Sequence, residues 1–171
     1  MKMNTYLKVS LLAACLAAAS AYAVDDSGTL KFNGQIISGA CTVDGTLAPI
    51  AFGDVSGSAI IDGSVAKQDI TINLTNCPAV NNVMLTTNGD KDVTNNKLLK
   101  LSDSSLATGF GIGLYNEDGS ELAVQTASNP VAVDAELGTA VINLKAAPVK
   151  AGEVVTGGAF DATTSFTLSY N

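Results

Sequence analysis

The chain has 171 residues, 47% of them hydrophobic, with sixteen acidic residues against nine basic ones. Its net charge of −7 argues against nucleic acid or an anionic membrane surface as a partner. There is no His to act as a general base near neutral pH and no Arg to clamp a phosphate or carboxylate with two parallel hydrogen bonds, so an enzyme reading has poor material.

In chain order, Lys2 and Lys8 are followed by the apolar run VSLLAACLAAAS (9–20) and by Ala21-Tyr22-Ala23. This is the pattern of a secretory signal peptide over residues 1–23 with an A-x-A cleavage site. The uncharged run is shorter than the roughly 20 residues that a spanning helix needs. Leu12-Ala13-Ala14-Cys15 also has the look of a bacterial lipobox, but the apolar run continues past the cysteine to the conventional site. Cleavage before Val24 leaves seven basic residues against sixteen acidic ones, a net charge of −9. It also leaves Cys41 and Cys77 as an even pair in an exported chain, for which a disulfide is the default reading. No C-x-x-C and no His support a metal alternative.

Beyond residue 24 strand signals dominate. Leu30, Phe32, Gly34 and Ile36 alternate with Lys31, Asn33 and Gln35, and the same period of two runs through Ile70-Thr71-Ile72-Asn73-Leu74 and Phe166-Thr167-Leu168-Ser169-Tyr170. The expected strands are 30–43, 48–53, 67–76, 82–87, 97–101, 109–116, 121–125, 139–146 and 159–170, with a hairpin tip at Asn116–Gly119 and irregular connections over 53–66 and 126–138. Many short strands with sixteen Gly predict an all-β sandwich or barrel in a single domain.

Sites for chemistry fare badly. Glu117 and Asp118 are adjacent at a turn tip, without the enclosure that splits the pKa values of a catalytic pair. Gly109, Gly111 and Gly113 have the wrong spacing for a phosphate loop and read as close packing within a strand. Asp90, Asp92 and Asn95 lack the acidic twelfth ligand of a calcium loop. Asn73-Leu74-Thr75 matches a glycosylation triplet but lies inside an alternating strand. Without Trp, and with Tyr115 and Tyr170 both in strands, an aromatic platform for sugar is hard to place. No catalytic residue, cofactor or metal is expected.

Four segments together resemble the structural subunits of chaperone–usher, type 1-like pili (fimbriae) of Gram-negative bacteria: LKFNGQIISGAC (30–41), ITINLTNC (70–77), ATGFGIGLYNEDGSEL (107–122) and GGAFDATTSFTLSYN (157–171), the last with a penultimate tyrosine. One departure lies at Lys145–Val149, where many relatives carry aromatic residues. The resemblance implies an incomplete immunoglobulin-like β-sandwich over 35–171 that lacks its last strand, an expectation that fits a chain ending directly after the strand 159–170. It implies a groove lined by core side chains, with Phe166, Leu168 and Tyr170 as its C-terminal strand contacts. It also implies an N-terminal donor-strand extension over 24–34, with Leu30 and Phe32 filling pockets and Gly34 permitting close approach. Alternation alone also fits a first strand that pairs within its own chain. The implied partners are a periplasmic pilus chaperone, an outer-membrane usher and identical or homologous subunits in a helical polymer at the cell surface; no host receptor is implied directly. A minor tip or adaptor subunit and a secreted carbohydrate-binding adhesin are the alternatives.

Overall fold

The computed structural model describes residues 39–45, 47–152 and 154–171. The expected signal peptide, the extension 24–34 with Leu30, Phe32 and Gly34, and the first part of the expected strand 30–43 lie outside the described residues. The elements are β1 (Thr42–Val43), α1 (Gly57–Asp62), β2 (Gln68–Thr75), β3 (Asn82–Thr87), β4 (Phe110–Asn116), β5 (Glu121–Leu122), β6 (Val131–Ala132), β7 (Ala140–Lys150) and β8 (Phe166–Tyr170). They form two antiparallel sheets, one in the order β1-β2-β7-β4-β5 and the other β6-β3-β8.

Period-two alternation decides which faces are buried. In β2, Ile72 and Leu74 are buried and Thr71 and Asn73 exposed; in β3, Val83, Leu85 and Thr87 are buried. Opposite β2, Ile142 and Leu144 of β7 point to the same core, in a register running from Gln68↔Ala146 to Leu74↔Ala140. Alternating inward residues of two sheets make the interior of a sandwich.

β4 is buried almost throughout because Leu98 and Leu99 lie across it. Leu99 exchanges both main-chain hydrogen bonds with Ile112, at 2.8 and 2.9 Å. A Cβ at Gly111 would sit 2.8 Å from the Leu99 carbonyl oxygen, so only glycine admits that crossing. The expected strand 97–101 is therefore a crossing segment held by bridges Lys91↔Leu99 and Leu99↔Ile112, not a laddered strand.

β7 runs four residues past its expected end, through Pro148. A proline inside a sheet forfeits a ladder bond. Here Pro148 stands opposite Ile112, whose N–H and C=O turn away to Leu99, and its own nitrogen side faces the space beyond the last β2 pair, Gln68↔Ala146. No ladder bond is lost. The sequence 145–149 packs small, with Ala146, Ala147 and Pro148 all buried.

Two expected connections contain short elements. The stretch 53–66 holds α1, started by the Ser56 side chain accepting from the Ala59 N–H at 3.2 Å and stopped by Gly63 at φ 67°. Ile60 anchors it, 4% exposed. The stretch 126–138 holds β6, which pairs with Asn82 and Val83. The hairpin tip is as expected: the Asp118 carboxylate accepts from the Ser120 hydroxyl and N–H and from the Asn129 amide, and these bonds, Ser120's first, hold its pKa below the ordinary value.

Cys41 and Cys77 are joined in a disulfide across the start of β1 and the end of β2, closing a loop of sequence separation 36. β1 has only two ladder pairs, Thr42↔Thr75 and Val43↔Leu74, so the covalent bond fixes what hydrogen bonds alone hold weakly. Replacing both cysteines by alanine is expected to lower the unfolding free energy by about 4 kcal/mol on the chain-entropy estimate. Urea denaturation of the oxidised protein and the double variant measures this.

Candidate strand-acceptor groove

The stretch 159–171 alternates without a break: every even-numbered side chain from Phe160 to Tyr170 is half-buried toward the core and every odd-numbered one is exposed. Its main chain divides the same way. The odd-numbered groups are engaged on one side, where Asn171 exchanges bonds with Asn82 and Ser165 accepts from the Asn88 N–H. Further up, Asp161 accepts from the Ser102 N–H and Ala159 from the Leu106 N–H, each at 2.8 Å. The even-numbered groups face the other way. Among the described residues, the N–H and C=O of Phe160, Ala162 and Thr164 have no hydrogen-bond partner, and β8 is the outermost strand of its sheet. One edge, roughly 34 Å from residue 160 to residue 170 at strand rise, thus presents unpaired main chain beside the core. Such an edge is a template for another strand.

Facing it is the segment 47–55, extended but unladdered. The expected strand 48–53 lies here, and among the described residues its main chain makes no hydrogen bond. Between this segment and residues 158–166 runs a groove of about 990 Å³ whose floor is core: Ile72, Leu85, Ile112, Leu114 and Leu144. The two walls meet at one end, and the edge is tied down again beyond the other. At one, the rings of Phe52 and Phe160 stack with centroids 6.2 Å apart, and Phe160 meets Phe110 edge-on at 5.0 Å. Beyond the other, the Tyr170 hydroxyl accepts a hydrogen bond from the Cys41 N–H at 2.9 Å, linking the edge of one sheet to the first strand of the other.

Of the residues expected at the groove, Phe166 lines it, while Leu168 and Tyr170 continue the same edge and pack on the core beyond it. Leu30, Phe32 and Gly34 are outside the described residues. Phe52 and Phe160 were not singled out by sequence. Phe160 extends the alternation of β8, which was a usable signal; Phe52 sits in a segment without clear period.

The polar candidates are engaged in local hydrogen bonds at the surface. The Asp92 carboxylate accepts from the N–H groups of Thr94 and Asn95, and Glu117 accepts from the Asn143 amide. Asn73 is an exposed residue within β2. Tyr115 lies under the Lys67 ammonium, 3.6 Å from its ring centroid; burial and then Glu121 push its pKa up. Among the described residues no group of His, Cys, Asp and Glu is placed to hold a metal ion.

Known proteins resemble this chain over nearly its whole length. A family model described as "Fimbrial protein" matches residues 30–171. An uncharacterised fimbrial-like protein of Escherichia coli strain K12 is 33% identical over 94% of this chain and 93% of its own length. Long polar fimbria protein A of Salmonella typhimurium is 30% identical, over 94% of each chain. Among solved structures, the P pilus rod subunit PapA superposes with a TM-score of 0.65 over 78% of this chain and all of its own, at 22% identity. A chaperone–usher pilus structure described for its rod uncoiling superposes at 0.64 over 86% of this chain and 97% of its own, at 23% identity.

One polar atom is out of place in the groove. Thr87 lies on the inward face of β3, 4% exposed, and its hydroxyl has no hydrogen-bond partner among the described residues. An unpaired buried hydroxyl costs about 1–3 kcal/mol, whereas the isosteric Val has nothing to satisfy. Thr87→Val is expected to stabilise the isolated domain by about 1 kcal/mol, read as a higher urea midpoint with an unchanged slope.

Proposed function

The chain belongs to the fimbrial protein family, and from that membership and the open edge of β8 we infer how it assembles. It is a structural pilus subunit, an incomplete immunoglobulin-like sandwich that partners other pilins in a surface fimbrium. At the joint between subunits, the edge 160–170 accepts residues 24–34 of a neighbouring subunit as the missing strand. The main-chain groups of Phe160, Ala162 and Thr164 supply its hydrogen bonds, and the groove floor receives its side chains. Pilin donor-strand complementation is a standard example of recognition by strand addition, in which the backbone gives affinity and alternate pockets give selectivity.

The single observation that carries this reading is the row of main chain, unpaired among the described residues, that lies over apolar core. The donor side supports it by complementarity. Leu30 and Phe32 stand two apart, as successive inward positions of a strand must, and Gly34 continues that face without a side chain. Full burial of two such side chains contributes roughly 3–6 kcal/mol. A donor at one end of a molecule and an acceptor elsewhere on it make a heterologous contact, which propagates as a helical filament unless the rotation closes.

Before assembly the same edge needs cover, because apolar floor and free main chain together invite aggregation. A periplasmic chaperone lending a strand answers that need, with an outer-membrane usher as the site of exchange. The signal-peptide pattern of residues 1–23 supports export through the periplasm.

Deleting residues 24–34 is expected to leave a subunit that still binds its chaperone but is not captured by the groove of the next; efficient polymerisation of the truncated protein overturns the donor assignment. A synthetic peptide of residues 24–35 added to purified mature subunit is expected to raise its melting temperature by on the order of 10 °C. An unchanged melting curve overturns the acceptor assignment.

A further inference from the structure

Of the two walls of the groove, the segment 47–55 is the one held by side chains alone. It runs from β1, fixed by the disulfide, to α1, fixed by its Ser56 and Gly63 caps. Between these anchors none of its main-chain groups is hydrogen-bonded among the described residues, and Pro49 has no N–H to offer. Leu47 and Ile50 are each 42% exposed. Phe52 is half-buried, and its ring is stacked on Phe160 across the groove. Directly after it, Gly53 takes φ 66°, although a Cβ there would meet nothing within 4 Å. The glycine is therefore needed for its backbone torsion, as at a joint.

We propose that residues 47–55 form a strap latched to the acceptor edge by Phe52 on Phe160, and that release of Phe52 is a step in strand uptake. The proposal rests on the acceptor reading above. A strand bonded to the N–H and C=O of Phe160, which have no partner among the described residues, runs between the two walls. Such a strand lies about 4.8 Å from the edge it bonds, and its inward side chains turn to the groove floor through the space between the two walls. Two rings with centroids 6.2 Å apart leave no space for an intervening side chain. Phe52 must therefore leave Phe160 for the strand to seat at this end, and no main-chain hydrogen bond among the described residues holds its segment back. What holds it there is the aromatic contact.

The test is the rate at which the mature full-length chain takes up a fluorescent peptide of residues 24–35, measured for wild type, Phe52→Ala and Phe52→Leu. Loss of one aromatic pair is expected to speed uptake roughly three- to ten-fold in Phe52→Ala, and in the same direction in Phe52→Leu, with final occupancy unchanged. Should Phe52→Ala not unfold cooperatively, Phe52→Leu, which keeps apolar bulk without the ring, decides. Uptake that reaches full occupancy at the wild-type rate or more slowly overturns the strap and leaves the acceptor edge standing. No uptake by any of the three overturns the acceptor reading and the strap with it.

Discussion

A main-chain N–H or C=O set beside apolar core must find a partner or stay costly. Along residues 160–170 this chain, among its described residues, meets that constraint on one side only. The odd-numbered groups are bonded to β3, to the 102–107 segment and to Asn88, while the even-numbered ones face an open groove. Most of the molecule is arranged around this asymmetry. The five-stranded sheet closes one face of the core, and β3 with β6 closes part of the other. The two walls then come together through an aromatic stack, and beyond the groove a phenol-to-amide hydrogen bond ties Tyr170 to Cys41. Elsewhere the sandwich is well filled: Leu74, Val83, Val124 and Ile142 are each no more than 1% exposed.

Charge plays a minor part in holding the fold. Among the described residues the ion pairs are Lys97–Glu121, Lys100–Asp103 and Lys145–Asp69, all at the surface, where such pairs contribute little. The carboxylates that matter locally are those accepting main-chain N–H groups in turns: Asp92, Asp118 and Asp134. An acidic surface over a small number of lysines keeps such chains soluble while leaving the groove apolar.

The elements most legible in the sequence were those where one face is buried and the other wet. β2, β3 and β4 fall within a residue or so of their expected bounds because alternation there reports burial. Legibility failed where a tertiary contact decided the outcome. Residues 97–101 look like a strand, but their main chain bonds across β4 at Leu99 only. β7 passes Pro148 because β2 has already ended there, which no local pattern announces. The helix α1 is too short to show a period, and β6 exists only as two pairs with β3. The alternation of Phe166, Leu168 and Tyr170 was readable as a strand, while a groove beside it was implied only by the resemblance. The opposite wall was not legible, because residues 47–55 have no ladder partner among the described residues and so carry no pattern of pairing. The orphan hydroxyl of Thr87 likewise becomes visible only once its neighbours are known.

The disulfide has a mechanical meaning as well as a thermodynamic one. Tension applied to the chain upstream of Cys41 would otherwise fall on β1, whose two ladder pairs could be peeled one at a time. The Cys41–Cys77 bond instead delivers that load to the far end of β2, which is held to β7 by seven consecutive pairs. Pulled along its length, such a ladder resists by shearing many bonds together. A bond that closes a loop during folding thereby sets which strand carries force in the folded molecule.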